Sequence, residues 1–161
     1  MSPVLLLAVV LSMKVAVPEK SVYHDTAKKV TLTLFIDAPP VLKAPGEKHE
    51  WHERLLPPSK MLVSSATRTV VYIGGIGDPG VSLGRIDLYD FVGTKTLTLD
   101  LHEDIPSLEA FARTWIENMG NFPWIASASL DRDEKIATID VCERYTVTID
   151  LVKRTHAVLP K

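Results

Sequence analysis

One cysteine, Cys142, stands among 161 residues. An intrachain disulfide is therefore excluded, and so is a zinc centre built on cysteine pairs. Charge of one sign is also lacking: 18 Lys and Arg stand against 20 Asp and Glu, a net of −2. That excludes the strongly basic footprint of a dedicated nucleic-acid binder, and the acidic bias of a disordered tail. Long apolar runs are missing too. A helix crossing a bilayer needs roughly 20 apolar residues, and the run over residues 3–13 is far shorter. A transmembrane span is not expected.

What is present suits a folded domain. Hydrophobic residues make up 46% and charged residues 24%, the balance of a soluble globular chain. A chain of this length buries roughly 70% of its unfolded surface, so it needs no disulfide or metal to fold. One domain over residues 1–161 is expected. The run at residues 3–13 has two readings. Its length matches the apolar core of a signal peptide. Yet nothing basic precedes it, no small-x-small cleavage site follows, and Val15-Ala16-Val17 resumes the apolar pattern. A buried strand is the expectation, with Met13 as an alternative start. A lone cysteine fits a reducing compartment, so a cytoplasmic location is expected; if the run is a signal, the protein is exported.

Residues 29–37 alternate strictly, with Leu32, Leu34 and Ile36 on one face, and this is a half-buried strand. Pro39-Pro40 ends it. From Ala38 to Lys60 the chain carries five prolines and one glycine without any period, so a long irregular excursion is expected over about 38–65. Residues 69–73 read as a β-branched strand, residues 81–91 as a strand bulged at Gly84, and residues 95–101 as a strand with Leu97, Leu99 and Leu101 on one face. One helix is expected over about 106–119. Pro106 suits its first turn. Leu108, Phe111, Ala112, Trp115, Ile116 and Met119 form one apolar stripe, and Gly120 suits the C-terminal cap.

A β-meander follows. Its faces can be paired by parity. Ala137, Ile139 and Val141 are odd-numbered, as are Val147, Ile149 and Leu151, so an odd loop must join them. Glu143-Arg144-Tyr145 satisfies this and sets Val141 opposite Val147. Ala126, Ala128 and Leu130 are even-numbered, so the preceding loop is even. Asp131 to Glu134 then sets Ala128 opposite Ala137, with Trp124 on the same face. The central alanines leave room for Trp115 and Phe111 of the helix. The expected fold class is thus α+β: a strand-rich, mostly antiparallel sheet with one helix packed on a C-terminal β-meander.

Four groups of residues raise chemical possibilities. Gly75-Ile76-Gly77-Asp78-Pro79-Gly80 matches G-x-G-x-x-G after a strand, but a dinucleotide fingerprint needs a helix next and a parallel sheet around it. Asp78-Pro79-Gly80 reads as a turn instead. No cofactor and no cofactor-binding residue is assigned. His49-Glu50-Trp51-His52-Glu53 gathers two imidazoles and two carboxylates. On a helix His49 and His52 would share a face, and zinc would need one or two more ligands, with His24, Asp25, His102, Glu103 and Asp104 as candidates. Asp100, Asp140 and Asp150 lie on polar strand faces, where carboxylates can hold a divalent cation, though solvent-facing Thr and Asp explain them more simply. Cys142 has only Arg144 as a basic neighbour in sequence, a weak setting for a nucleophile. No catalytic residue is assigned.

Two functions of different classes follow. The first is a non-catalytic protein-binding or assembly protein, an inhibitor or immunity-type partner or a homo-oligomer subunit. Its partner would be another protein or a second copy of itself. The second is a metal-dependent hydrolase with His49 and His52 as metal ligands. Whether the chain is an enzyme is left open by sequence.

Overall fold

The structure, a computed structural model, describes residues 19–74, 84–108, 110 and 124–161. These residues are all-β, not α+β. Three antiparallel sheets of four strands follow one another along the chain. The first contains β1 (Lys20–His24), β2 (Thr31–Phe35), β3 (Val41–Ala44) and β4 (Glu47–Glu50). The second contains β5 (Lys60–Ser64), β6 (Thr69–Ile73), β7 (Arg85–Asp90) and β8 (Lys95–Asp100). The third contains β9 (Ile125–Leu130), β10 (Ile136–Val141), β11 (Tyr145–Asp150) and β12 (Thr155–Pro160). Each sheet is a simple meander.

The second sheet lies between the other two. β6 shows why. Val70, Val71, Tyr72 and Ile73 are apolar at consecutive positions, so both faces of the strand are buried. Val70 and Tyr72 join Met61, Val63, Tyr89 and Phe91 against Leu32, Leu34 and Leu42 of the first sheet. Val71 and Ile73 join Ile86, Leu88 and Leu99 against Ile139, Val147 and Ile149 of the third.

This arrangement corrects the expected α+β class. The face on which Trp115 and Phe111 of the helix are expected to sit is covered instead by the second sheet. Of the expected helix at 106–119, residues 109 and 111–119 lie outside the described residues, and no helical element lies among those described. Its head does pack: Leu108 is buried in the same cluster, and its N–H donates to the Ile105 carbonyl at 3.0 Å. The apolar run at residues 3–13 and the glycine-rich motif at 75–80 also fall outside the described residues.

The expected irregular excursion at 38–65 instead contains all of β3, β4 and β5. Pro39-Pro40 and Pro45-Gly46 mark the ends of short strands there. Gly46 turns the chain at a φ of 77°. Gly84 precedes β7 rather than bulging it, and the irregularity falls between Leu88 and Tyr89.

In the third sheet both loop parities hold, and both registers slip by two. Val141 lies opposite Tyr145, not Val147. Cys142 and Glu143 take φ of 55° and 57°, and Arg144 N–H bonds to the Val141 carbonyl at 3.1 Å. These are the φ signs of a type I′ turn, whose twist matches that of its strands. Ala128 lies opposite Ile139, and Ala137 opposite Leu130. A bulge at Asp140/Val141 then brings Ile125 opposite Val141. Ile125 is buried and Ala126 is exposed, reversing the expected facing of Ala126.

The sheets fan out from their first strands. Cα atoms of β1 and β5, and of β5 and β9, come within 8 Å, closer than the roughly 10 Å of sheets packed flat. The turns repeat from sheet to sheet. The turn after each first strand holds one left-handed residue: Lys28 (φ 56°), Arg68 (φ 53°) and Glu134 (φ 54°). The turn after each third strand holds another: Gly46 (φ 77°), Gly93 (φ 90°) and Arg154 (φ 58°). The first and third sheets match more closely still. Asp25 N–H bonds to the Val30 carbonyl at 3.3 Å and Lys28 N–H to the Asp25 carbonyl at 3.0 Å. Asp131 N–H bonds to the Ile136 carbonyl at 2.9 Å and Glu134 N–H to the Asp131 carbonyl at 3.0 Å. At the end of the third sheet, Lys161 N–H bonds to the Arg144 carbonyl at 2.8 Å. By the alternation of an antiparallel ladder, the nitrogens of His156, Val158 and Pro160 then turn away from β11.

Gly93 is the tightest of these turns. Trp51 stacks on Tyr89 with ring centroids 5.2 Å apart, and its indole N–H donates to the Phe91 carbonyl at 3.0 Å. A Cβ on Gly93 would lie 2.5 Å from Trp51 Cγ. Gly93→Ala therefore combines a clash with a left-handed φ. The expected cost is on the order of 2 kcal/mol, read from urea unfolding followed by Trp fluorescence. An unchanged midpoint would contradict the seating of Trp51 between the first and second sheets.

Candidate functional site

His49 lies on β4, a strand, so the helical pairing of His49 with His52 does not form. Alternation along β4 puts Glu47 and His49 on one face. His49 Nε2 lies 2.8 Å from Glu47 Oε2. Arg68, from the first turn of the second sheet, donates to Glu47 Oε1 at 2.6 Å and to Oε2 at 2.9 Å. Its guanidinium also sits 4.7 Å from the Phe91 ring centroid. The hydrogen bonds from Arg68, then from His49, hold the Glu47 carboxyl down at about 2. This trio joins the first sheet to the second. His52 follows the strand and is exposed.

Three of the residues expected to complete a metal site are engaged elsewhere. His24 Nδ1 pairs with Thr31 Oγ1 at 3.2 Å. Asp25 Oδ1 accepts the Val30 N–H at 2.8 Å. Asp104 Oδ2 pairs with His156 Nε2 at 2.7 Å. The described part of the chain contains no group of three or more His, Cys, Asp or Glu placed to hold a metal ion. The aspartates also stay apart. Asp140 lies opposite Thr146 and Asp150 opposite Ile136, near the two ends of the same ladder. Asp100 belongs to the second sheet and accepts the His102 N–H at 3.0 Å.

Cys142 is buried in the β10–β11 turn, and burial pushes its thiol up to about 11, against the smaller lowering influence of Arg144. A thiol protonated at neutral pH is a poor nucleophile. It borders a cavity of about 230 Å³ with Ile105, Ser107, Leu108, Arg144 and Tyr145. Wall and mouth are mainly apolar side chains from the turn and from the chain after β8.

Among the described residues, a densely bonded polar residue is one that the sequence did not single out. Glu134, in the β9–β10 turn, is 5% exposed. Its Oε1 accepts the Thr26 N–H at 2.8 Å, from the β1–β2 turn. Its Oε2 accepts the Ser65 N–H at 2.7 Å and the Ser65 hydroxyl at 2.8 Å, from the β5–β6 turn. The Ser64 hydroxyl donates to the Glu134 carbonyl at 2.6 Å. One side chain thus binds the first turns of all three sheets. Burial alone would raise its pKa, but the bonds from Ser65 and Thr26 outweigh it and hold the carboxyl at about 2. Asp131-Arg132-Asp133-Glu134 looks like a solvated turn in sequence, and nothing local marks its last member as buried.

No family model matches the chain, and no curated protein matches it. No helix among the described residues is long and apolar enough to cross a membrane.

The Glu134 contacts give a pH signature. Its folded pKa, about 2, lies below the ordinary 4.5. The stabilisation is therefore complete above about pH 4.5, declines as pH falls and is lost near 2. Glu134→Gln should lower stability at neutral pH by on the order of 2–3 kcal/mol. It should also flatten the acid limb of the stability profile between those two values. Parallel profiles for the two proteins, measured by urea titration at stepped pH, would contradict this role.

Proposed function

We propose that this chain is a non-catalytic binding or assembly protein whose working surfaces are the outer faces of its first and third sheets. The observation that carries this reading is where the polar chemistry goes. Glu47, His49 and Arg68 join the first sheet to the second; Glu134 joins all three; Asp104 and His156 tie β12 to the chain after β8. The groups best suited to catalysis serve to hold sheets together. Meanwhile the outer faces of the first and third sheets have no layer packed on them among the described residues, and Val22 (45% exposed) and Leu159 (59%) lie on them. Exposed apolar side chains on a sheet face favour association. The partner is another protein or a second copy of the chain. A single buried thiol suits a reducing, cytoplasmic setting.

The metal-dependent hydrolase is supported by one geometric fact: His49 is oriented by a carboxylate, as metal-binding histidines commonly are. The two readings separate on metal. On the binding reading, added zinc leaves the thermal midpoint of the protein unchanged, and His49→Ala with His52→Ala does not alter its metal content. Stoichiometric zinc that raises the midpoint, and is lost in the double variant, would establish the hydrolase instead.

A further inference from the structure

The three sheets are consecutive four-strand meanders, they converge at their first strands, and their first and third turns repeat a left-handed residue. Consecutive blades of a β-propeller are built in this way, and closed propellers contain roughly four to eight blades. The three sheets among the described residues fall short of a ring. Two copies give six, within that range, and three copies give nine, beyond it. We infer that two copies of this chain close a six-bladed ring head to tail. The outer face of the first sheet in each copy seats on the outer face of the third sheet in the other. The inference rests on the assembly reading above and names its partner.

The two faces are complementary in shape and charge. Registration places Val22, Thr33, Val41 and, at the edge, Glu50 in one row across the first sheet, and Ser129, Thr138, Thr148 and Ala157 in one row across the third. Short side chains of this kind let two sheets approach to about 10 Å. Around the first row stand Lys20, Lys43 and Lys48, with Glu50 as the only carboxylate on the strands of that face, bonded to Lys48 at 2.7 Å. The strands of the third face carry Asp140 and Asp150 and no lysine. Lys161 and Lys153 reach those aspartates from outside the strands, and Asp140 Oδ1 is buried without a hydrogen-bond partner. Like faces would set lysine against lysine; unlike faces bring lysines to aspartates. Charge of this pattern selects the head-to-tail arrangement over a back-to-back dimer. Two such contacts, related by a two-fold axis, close the ring and leave no face free for further growth.

Sedimentation equilibrium of the full chain at micromolar concentration tests this. The expected mass is twice 17.8 kDa, about 36 kDa. Val22→Glu on the first face and Ala157→Arg on the third should each, alone, give the 17.8 kDa species, because each breaks both contacts of the ring. An equimolar mixture of the two variants retains one intact contact and should restore the dimer. A wild-type monomer, a larger assembly, a variant that stays dimeric alone, or a mixture that stays monomeric would each overturn the ring. Carbodiimide cross-linking of light with isotope-labelled wild-type chains gives a readout free of substitutions. Mixed-label peptides joining Lys20 or Lys43 to Asp140 or Asp150 support the head-to-tail contact, and their absence from a dimer overturns it. A monomeric result would sink the ring while leaving the binding reading to its own metal test.

Discussion

The contacts of Glu134 are the constraint on which the rest of the structure depends. A fan of sheets is open at its wide end and must be fixed at its narrow end. Apolar packing between sheets is non-directional and tolerates sliding. Hydrogen bonds to a single buried carboxylate do not. Thr26, Ser65 and Glu134 each belong to the turn after the first strand of a sheet. Fixing those turns sets the relative height of all three meanders at once. The turn that carries this carboxylate holds Glu134 itself at a left-handed φ. A β-branched residue would resist that conformation.

Two buried layers then form with different chemistry. Between the second and third sheets the strands meet through aliphatic side chains, Ile86, Leu88 and Leu99 against Ile139, Val147 and Ile149, with Trp124 buried beside them and its indole N–H donating to the Gly74 carbonyl at 3.2 Å. Between the first and second sheets aromatic rings dominate, with Trp51, Tyr72, Tyr89 and Phe91 in one cluster. Trp51 and Tyr89 stack, and Tyr72 meets Tyr89 edge-on at 6.4 Å. Polar ends of the rings find backbone partners, as Tyr72 does at the Leu56 carbonyl at 3.1 Å. Rings with polar tips suit a layer near the ion pairs of Glu47 and Arg68, and aliphatic chains suit the drier one.

Local alternation was legible in the sequence, and so was the parity of the hairpins. Leu32 and Leu34, or Ile139, Val147 and Ile149, point where their spacing says they should. What covers those faces was not legible, because a period of two reports that a face is buried and not by what. The run Val70-Val71-Tyr72-Ile73 held the clue, since only a strand covered on both sides is apolar at every position. The two-residue slips of register left no trace for the same reason that parity succeeds: a shift of two preserves every facing. The repeat was present as Asp25-x-x-x-Lys29-Val30 and Asp131-x-x-x-Lys135-Ile136, each leading into an alternating strand. That shared information sits in the turns, not in the alternating strands that follow them. The candidate histidines were misplaced by a helical assumption, and Glu134 carried no local signal at all.

The end of β12 has a consequence for how such a chain can grow. A sheet can extend in its own plane by adding a strand to an open edge, or out of plane by stacking a face. Lateral extension needs a row of outward N–H groups to act as a template. On β12 that row contains only those of His156 and Val158, because the next outward nitrogen belongs to Pro160 and carries no hydrogen. Two donors are too short a template to align a fibril, so this edge resists templated polymerisation even where the chain is concentrated. Stacking, which uses side chains and not backbone donors, is left untouched by the proline.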